Sequence, residues 1–144
     1  MFVVDTNVLV DAANNDSPRQ DRCQNRLEAW RRRSSVWFLT LGICYEFMRV
    51  ATHPRVFGRP LKAPEAWGFV AGILASPGAS LLVPTDRHTR VAREVFAEMP
   101  GIAGNLAHDA ATAVLMCEHG IKTIYTRDAD FHRFRFLEVV DPTA

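Results

Sequence analysis

Four carboxylates in this sequence lie where an α/β chain places its chemistry. Asp5 ends the first apolar run, Phe2-Val-Val, and Asp128 follows the apolar stretch Thr123 to Thr126, with Asp130 two residues on. Ligands of open α/β sheets bind at the carboxyl ends of strands, so these acids are placed to reach one. Each taken alone serves equally well as the N-cap of the helix that follows it. Asp109 is harder to explain as structure. It lies early in a predicted helix that opens at Asn105, and between residues 110 and 117 only Thr112 is polar. A helix apolar nearly all round is buried. No Lys or Arg occurs between Arg93 and Lys122, and an ionised carboxylate there is costly unless a cation or donor meets it. Glu46 follows the second predicted strand by about two helical turns and borders the apolar stripe of its helix. An exposed ion pair with Arg49 at i+3 is the competing reading.

Brought together, Asp5, Glu46, Asp109 and Asp128 would crowd like charges around one cleft, raising some pKa values or demanding a divalent cation. Oxygen-only ligands select Mg²⁺ or Mn²⁺ over zinc, and no Cys/His cluster has zinc-ligand spacing. Such a cluster fits metal-assisted phosphodiester hydrolysis.

The elements that must position these acids follow from hydrophobic periodicity. Phe2 to Asp5 reads as a buried strand and Thr6 to Ala13 as a short helix. After a loop at 14–18, a helix runs from near Pro18 to about Arg33, with Cys23, Leu27 and Trp30 on one face. Val36 to Thr40 is a strand, followed by a helix from about Leu41 to Thr52 that His53-Pro54 ends. A Gly/Pro/Arg loop from Arg55 to Ala63 leads to a helix opened by Pro64 and stopped by Ser76-Pro-Gly78. Leu81 to Val83 is a strand, and Thr85 or Asp86 caps a helix carrying Val91, Val95, Phe96 and Met99. The Asn105 helix closes at Gly120, and strands follow at Thr123 to Thr126 and Phe136 to Val140. Apolar strands alternating with helices predict an α/β domain spanning 1–144, with a central, mostly parallel five-stranded sheet flanked by helices on both faces.

Composition narrows the class further. With 48% hydrophobic and 23% charged residues, the chain is neither disordered nor a disulfide scaffold. No apolar run approaches the roughly 20 residues of a membrane span, and the first residues lack a signal peptide's basic start. The three cysteines lie in helical, apolar segments, so reduced, buried thiols and a cytoplasmic location are expected. All but two of the 17 basic residues are Arg, which suits phosphate recognition and equally suits a GC-rich genome.

The motifs Val3-Val-Asp5-Thr-Asn-Val-Leu9, Glu46 in its helix, Gly104-Asn-Leu-Ala-His-Asp-Ala110 and Thr126-Arg-Asp-Ala-Asp-Phe131 occur in order along the chain. In this they resemble the PIN-domain ribonucleases, and more narrowly the VapC toxins of bacterial VapBC toxin–antitoxin pairs. Arg49-Val-Ala-Thr-His-Pro-Arg-Val-Phe57 and Glu118-His-Gly120 match a VapC subgroup. The resemblance implies a Mg²⁺-dependent endoribonuclease whose catalytic, metal-binding quartet is Asp5, Glu46, Asp109 and Asp128. Asp130 would be an auxiliary acid, and Thr6 or Asn7 would help position a metal, water or phosphate. It further implies a structured RNA substrate such as tRNA or rRNA, inhibition by a VapB antitoxin, and a homodimer.

One residue departs from the pattern. Arg127 stands beside the fourth acid, where a small or neutral residue is expected; pairing with Asp128, competing with metal and contacting RNA phosphate are all open to it. Arg31, Arg32 and Arg33, at the end of a helix rich in Arg, are candidate RNA contacts. A solvated helix face or a surface for an acidic antitoxin segment would use the same residues. Arg55 and Arg59 are a second candidate pair. His108 points about 100° away from its neighbour Asp109, so a general-base role is not expected of it, and it reads, like His53, His88, His119 and His132, as an ordinary surface or capping residue. An aspartyl-phosphate mechanism is excluded by Asn7, where a phosphatase of that kind needs Asp, and by the absence of Lys from residues 123 to 144. A catalytically silent PIN module that binds RNA or a protein partner is the remaining alternative.

Overall fold

The computed structural model describes residues 1–144. Strands β1 (Phe2–Val4), β2 (Trp37–Thr40), β3 (Ala79–Leu82), β4 (Thr123–Tyr125) and β5 (Glu138–Val140) form one sheet in the order β3-β2-β1-β4-β5. Every neighbouring pair is parallel. Between them run α1 (Thr6–Ala13), α2 (Gln20–Arg32), α3 (Leu41–Ala51), α4 (Ala63–Leu74), α5 (His88–Glu98) and α6 (Leu106–Glu118), with a 3₁₀ turn at Ala129–Arg133. No helix is long and apolar enough to cross a membrane.

The connectivity explains where a site can form. The chain steps from β1 outward through β2 to β3, then returns past β1 and continues through β4 to β5. Right-handed crossovers put α1 to α4 on one face and α5 with α6 on the other. The direction reverses between β1 and β4, and the carboxyl ends of two such strands open a crevice. Asp5 directly follows β1 and Asp128 is the third residue after β4, so the winding itself brings these acids side by side.

Apolar side chains of the strands, and of the helices and loops that cover them, form a core cluster of 29 residues. Trp30 of α2 packs across Phe2, Trp37 and Tyr125 of three adjacent strands, with ring centroids 5.3, 6.1 and 4.7 Å away. Phe131 and Phe134, both fully buried, anchor the 3₁₀ turn that carries Asp128 and Asp130 at its start.

Three element starts and one cap differ from the sequence expectation, for local reasons. β3 begins at Ala79 rather than Leu81, because Gly78 already meets β2's approach. A Cβ there would lie 2.3 Å from the Ser35 carbonyl oxygen, and the Trp37 N–H donates to the Gly78 carbonyl at 2.9 Å. β5 begins only at Glu138, since Leu137 N–H is tied to the Phe134 carbonyl at 2.9 Å. α5 starts at His88, and neither Thr85 nor Asp86 caps it. α6 closes as expected at Gly120, whose φ of +68° lets Ile121 N–H reach back to the Met116 carbonyl at 2.9 Å, but the Asn105 side chain makes no capping bond. Cys23 and Cys44 are buried, and burial pushes both thiols up to about 11; Cys117, expected to be buried, is exposed.

Thr85 fails to cap because it is committed elsewhere. The Glu118 carboxylate, fully inaccessible, accepts from the Thr85 N–H at 2.6 Å and from the Thr85 hydroxyl, and pairs with His88 Nδ1 at 2.7 Å. Burial raises its pKa, but the bonds from Thr85 and His88 outweigh that and hold it at about 2. This buried anion joins the end of α6 to the start of α5. His88 is thus a structural partner and not a plain surface residue. A carboxylate whose folded pKa lies below its unfolded value stabilises the fold above the unfolded pKa and loses that contribution as pH falls. Between pH 5 and pH 3, wild type should therefore lose more stability than Glu118→Gln. The variant itself should cost about 2 kcal/mol or more at neutral pH. Equal acid sensitivity in urea titrations would rule out this carboxylate as the anchor.

Candidate metal-ion and RNA cleft

A cleft of about 1100 Å³ opens at the carboxyl end of the sheet, and Asp5, Thr6, Asn7, Glu46, Asp109, Asp128 and Asp130 all line it. Each reaches it by a different route. Asp5 leaves β1 in extended conformation and accepts the Thr6 N–H at 2.8 Å, so it does cap α1, as an Asp at that position alone would. Asp128 likewise caps the 3₁₀ turn through the Asp130 N–H at 2.9 Å. Capping and cleft placement coexist, because each cap uses one carboxylate oxygen.

Asp109, Asp128 and Asp130 form the tightest group, with one carboxylate oxygen of each within 4.8 Å of the others. Asp109 is half-buried in the first turn of α6. Burial pushes its pKa up to about 7, helped by the charges of Asp128, Asp5, Asp130 and Glu46. Asp5 is buried and also raised, by desolvation first, against the lowering bonds from Thr126 and Thr6. An all-oxygen donor set in which Asp5 and Asp109 are raised by burial, with a further push from neighbouring acids, fits a hard divalent cation. Asp130, assigned only an auxiliary place by sequence, stands inside the tight group, whereas Asp5 and Glu46 line the cleft outside it.

Glu46 faces the cleft while paired with Arg49 through two bonds, Nε to Oε2 at 3.0 Å and Nη2 to Oε1 at 2.5 Å. The ion pair weighed from the sequence is therefore present on a residue that also belongs to the cleft wall. It holds the Glu46 carboxyl below its usual range, with a smaller contribution from His108. His108 is exposed, as expected of a surface histidine, and lies along the lining of this cleft.

The hydrogen bonds that organise the acids centre on a residue to which the sequence had assigned no role. The Thr126 hydroxyl donates to Asp5 Oδ2 at 2.6 Å and accepts from Asn7 Nδ2 at 2.8 Å and from the Asp128 N–H at 3.0 Å. Asn7 Nδ2 also donates to Asp5 Oδ2 at 2.8 Å, while Asn7 Oδ1 accepts the Arg127 N–H at 3.1 Å. A hydroxyl two residues before an acid at a strand end is the signal that could have found Thr126. Of the three roles open to Arg127, the structure shows none with Asp128. Its Nη2 donates to Asp11 Oδ2 at 2.5 Å, and Asp11 Oδ1 accepts from the Ser17 hydroxyl at 2.8 Å.

The candidate RNA arginines do not line this cleft. Arg31 Nε donates to the Ser76 hydroxyl at 2.8 Å and its Nη2 to the Gly72 carbonyl at 3.3 Å, tying α2 to the end of α4. Arg32 makes an exposed pair with Glu28 at 3.0 Å. Arg33, Arg55 and Arg59 are exposed.

Comparison with known proteins agrees with this architecture. The family model for the PIN domain matches residues 2–137. Ribonuclease VapC37 of Mycobacterium tuberculosis is 34% identical over 148 residues, covering 100% of this chain and 99% of that protein. Ribonuclease VapC48 of the same species is 30% identical over 138 residues, covering 96% and 94%. Among solved structures, M. tuberculosis VapC20, described as a sarcin-ricin loop cleaving toxin, superposes with a TM-score of 0.69 at 20% identity, covering 98% of this chain and all of that one. VapBC2 from Rickettsia felis, bound to a DNA fragment from its promoter, gives a TM-score of 0.67 at 18% identity over 96% of each chain. The match over nearly the whole chain, with the acids gathered where the strand order reverses, leads to one conclusion: this chain belongs to the PIN-domain family, among its VapC ribonucleases.

Proposed function

We propose that this protein is the toxin of a VapBC pair, a divalent-cation-dependent endoribonuclease that hydrolyses RNA phosphodiester bonds at the acidic cleft. One observation carries the reading: Asp109, Asp128 and Asp130 bring oxygens within 4.8 Å of one another, a concentration of negative charge that the fold tolerates poorly without a cation. Asp5, Glu46, Asp109 and Asp128 would hold Mg²⁺, with Mn²⁺ as a substitute, and Asp130 would assist. When bound, the ion supplies Lewis acidity toward the phosphodiester and its attacking water. The chain's own contribution is positioning. Thr126 and Asn7 fix the Asp5 carboxylate, Thr6 and Asn7 border the space for water or phosphate, and Arg49 offsets the charge of Glu46 at the rim. A structured RNA such as tRNA or rRNA is the proposed substrate class, with a VapB-type antitoxin as inhibitor, a homodimer as the assembly and the cytoplasm as the location.

Incubating purified protein with total cellular RNA, in Mg²⁺ or EDTA and beside Asp5→Asn, tests the reading. Discrete fragments that vanish with EDTA and with the variant are expected. Persistence of cleavage in EDTA would overturn the metal assignment, and cleavage by Asp5→Asn would remove that residue from the site. Absence of any cleavage by folded, antitoxin-free protein would favour a silent binding module.

A further inference from the structure

An exposed aromatic pair, one ring of which lines the cleft, belongs to none of the machinery above. Tyr45, next to Glu46 on α3, is 63% exposed and lines the same cleft. Trp67 of α4 is 40% exposed, and its ring centroid lies 5.7 Å from that of Tyr45 at an interplanar angle of 39°. Exposing two large rings is costly, and fastening α3 to α4 does not require them. That contact is made deeper, where Phe47 and Phe69 stack at 5.0 Å and 20°, with Ala66 and Val70 fully buried beside them.

We infer that Tyr45 and Trp67 form a nucleobase-stacking subsite for an unpaired base next to the phosphodiester that the cleft cuts. The inference rests on the ribonuclease reading, because a strand laid along the carboxylates must pass the Tyr45 wall of the same cleft. Sequence-tolerant recognition of single-stranded RNA works this way, by stacking splayed bases on aromatic rings. Arg49, one turn beyond Tyr45 and 66% exposed in its side chain, is the cation nearest in sequence to meet the neighbouring phosphate. Leu41, one turn before Tyr45, is also exposed, and it makes a second copy of this chain the rival occupant.

Trp67 provides its own reporter, since Trp30 and Trp37 are buried. Rapid mixing in Mg²⁺ with a single-stranded oligoribonucleotide, or with an abasic strand of equal length, is read by tryptophan fluorescence, and cleavage is followed on the same samples. The base-bearing strand should quench wild type, and Trp67→Tyr should remove the signal. Tyr45→Ala should weaken binding about tenfold or more, Tyr45→Phe should stay close to wild type, and the abasic strand should bind wild type as weakly as Tyr45→Ala binds RNA. Cleavage by wild type without quenching, or equal affinity of wild type for both strands, would overturn the subsite and leave the ribonuclease reading standing. Quenching without cleavage would do the reverse. If Tyr45→Ala keeps its RNA affinity and sediments as a smaller species than wild type, the pair is a contact between copies and the inference fails.

Discussion

Asp109→Asn is expected to lose RNA cleavage by about a hundredfold or more and yet to melt higher than wild type in EDTA. The first effect follows from removing a central carboxylate of the tight acidic group. The second follows from the sign of its pKa shift. Asp109 is raised from 3.8 to about 7, by burial first and then by the surrounding acids. Between those values the folded chain holds a proton that the unfolded chain has released, so stability falls as pH rises through that window and stays reduced above it. Asn has the same shape and no charge to desolvate. Because the side chain is only half-buried, solvent screens much of the penalty, and the gain should be about 1 kcal/mol, or roughly 3 °C in Tm. Saturating Mg²⁺ should reverse the order. Wild type then gains by mass action, about 2.7 kcal/mol at a hundredfold excess over Kd, and the variant gains much less. A variant that melts lower in EDTA would make Asp109 a structural residue, and equal Mg²⁺ shifts would place the cation elsewhere.

The sequence revealed the acids more readily than it did their partners. Asp109 could be singled out because an ionised group on an apolar helix with no cation nearby contradicts its surroundings, and that contradiction is visible in one dimension. Asp5 and Asp128 were legible because strand ends are, and the sheet that unites them follows from alternating strands and helices. Glu46 was ambiguous in the sequence, and it has both features in the structure: an ion pair with Arg49 and a place in the cleft wall. Thr126 was overlooked because a hydroxyl at the end of a strand is unremarkable until three partners converge on it. The buried Glu118 was hidden for a related reason. Its donors, Thr85 and His88, lie some thirty residues earlier in the chain, and no local periodicity links them. The shifted start of β3 was illegible because it depends on how closely Gly78 approaches another segment's backbone.

Breaking the Asp11–Arg127 pair should damage the site through a charge set loose. In the folded chain this pair is mostly shielded, with 11% of the Asp11 and 26% of the Arg127 side chain exposed. It holds a guanidinium one residue from Asp128, at the wall of the acidic cleft, and ties it to Asp11 on α1. The Arg127 N–H is also fixed by Asn7, and through Asn7 to Asp5, so the segment carrying Asp128 is fastened to α1 twice. Asp11→Asn removes the anion and retains the shape, leaving an uncompensated cation beside a cluster of carboxylates. The freed charge then lies between Asp141, whose carboxyl Arg127 already helps hold below its ordinary range, and the cleft acids beside it that would hold the metal. The Mg²⁺ concentration for half-maximal cleavage should therefore rise by roughly ten- to hundredfold, the usual cost of disturbing the groups that orient a metal's ligands. Arg127→Gln alone should do less, since it removes the competing charge together with the clasp. The decisive comparison is the double variant. Adding Arg127→Gln to Asp11→Asn should recover most of the lost metal affinity, a coupling that a double-mutant cycle measures directly. If the two substitutions instead add, the pair acts only as packing, and Arg127's position beside the fourth acid has no bearing on the metal.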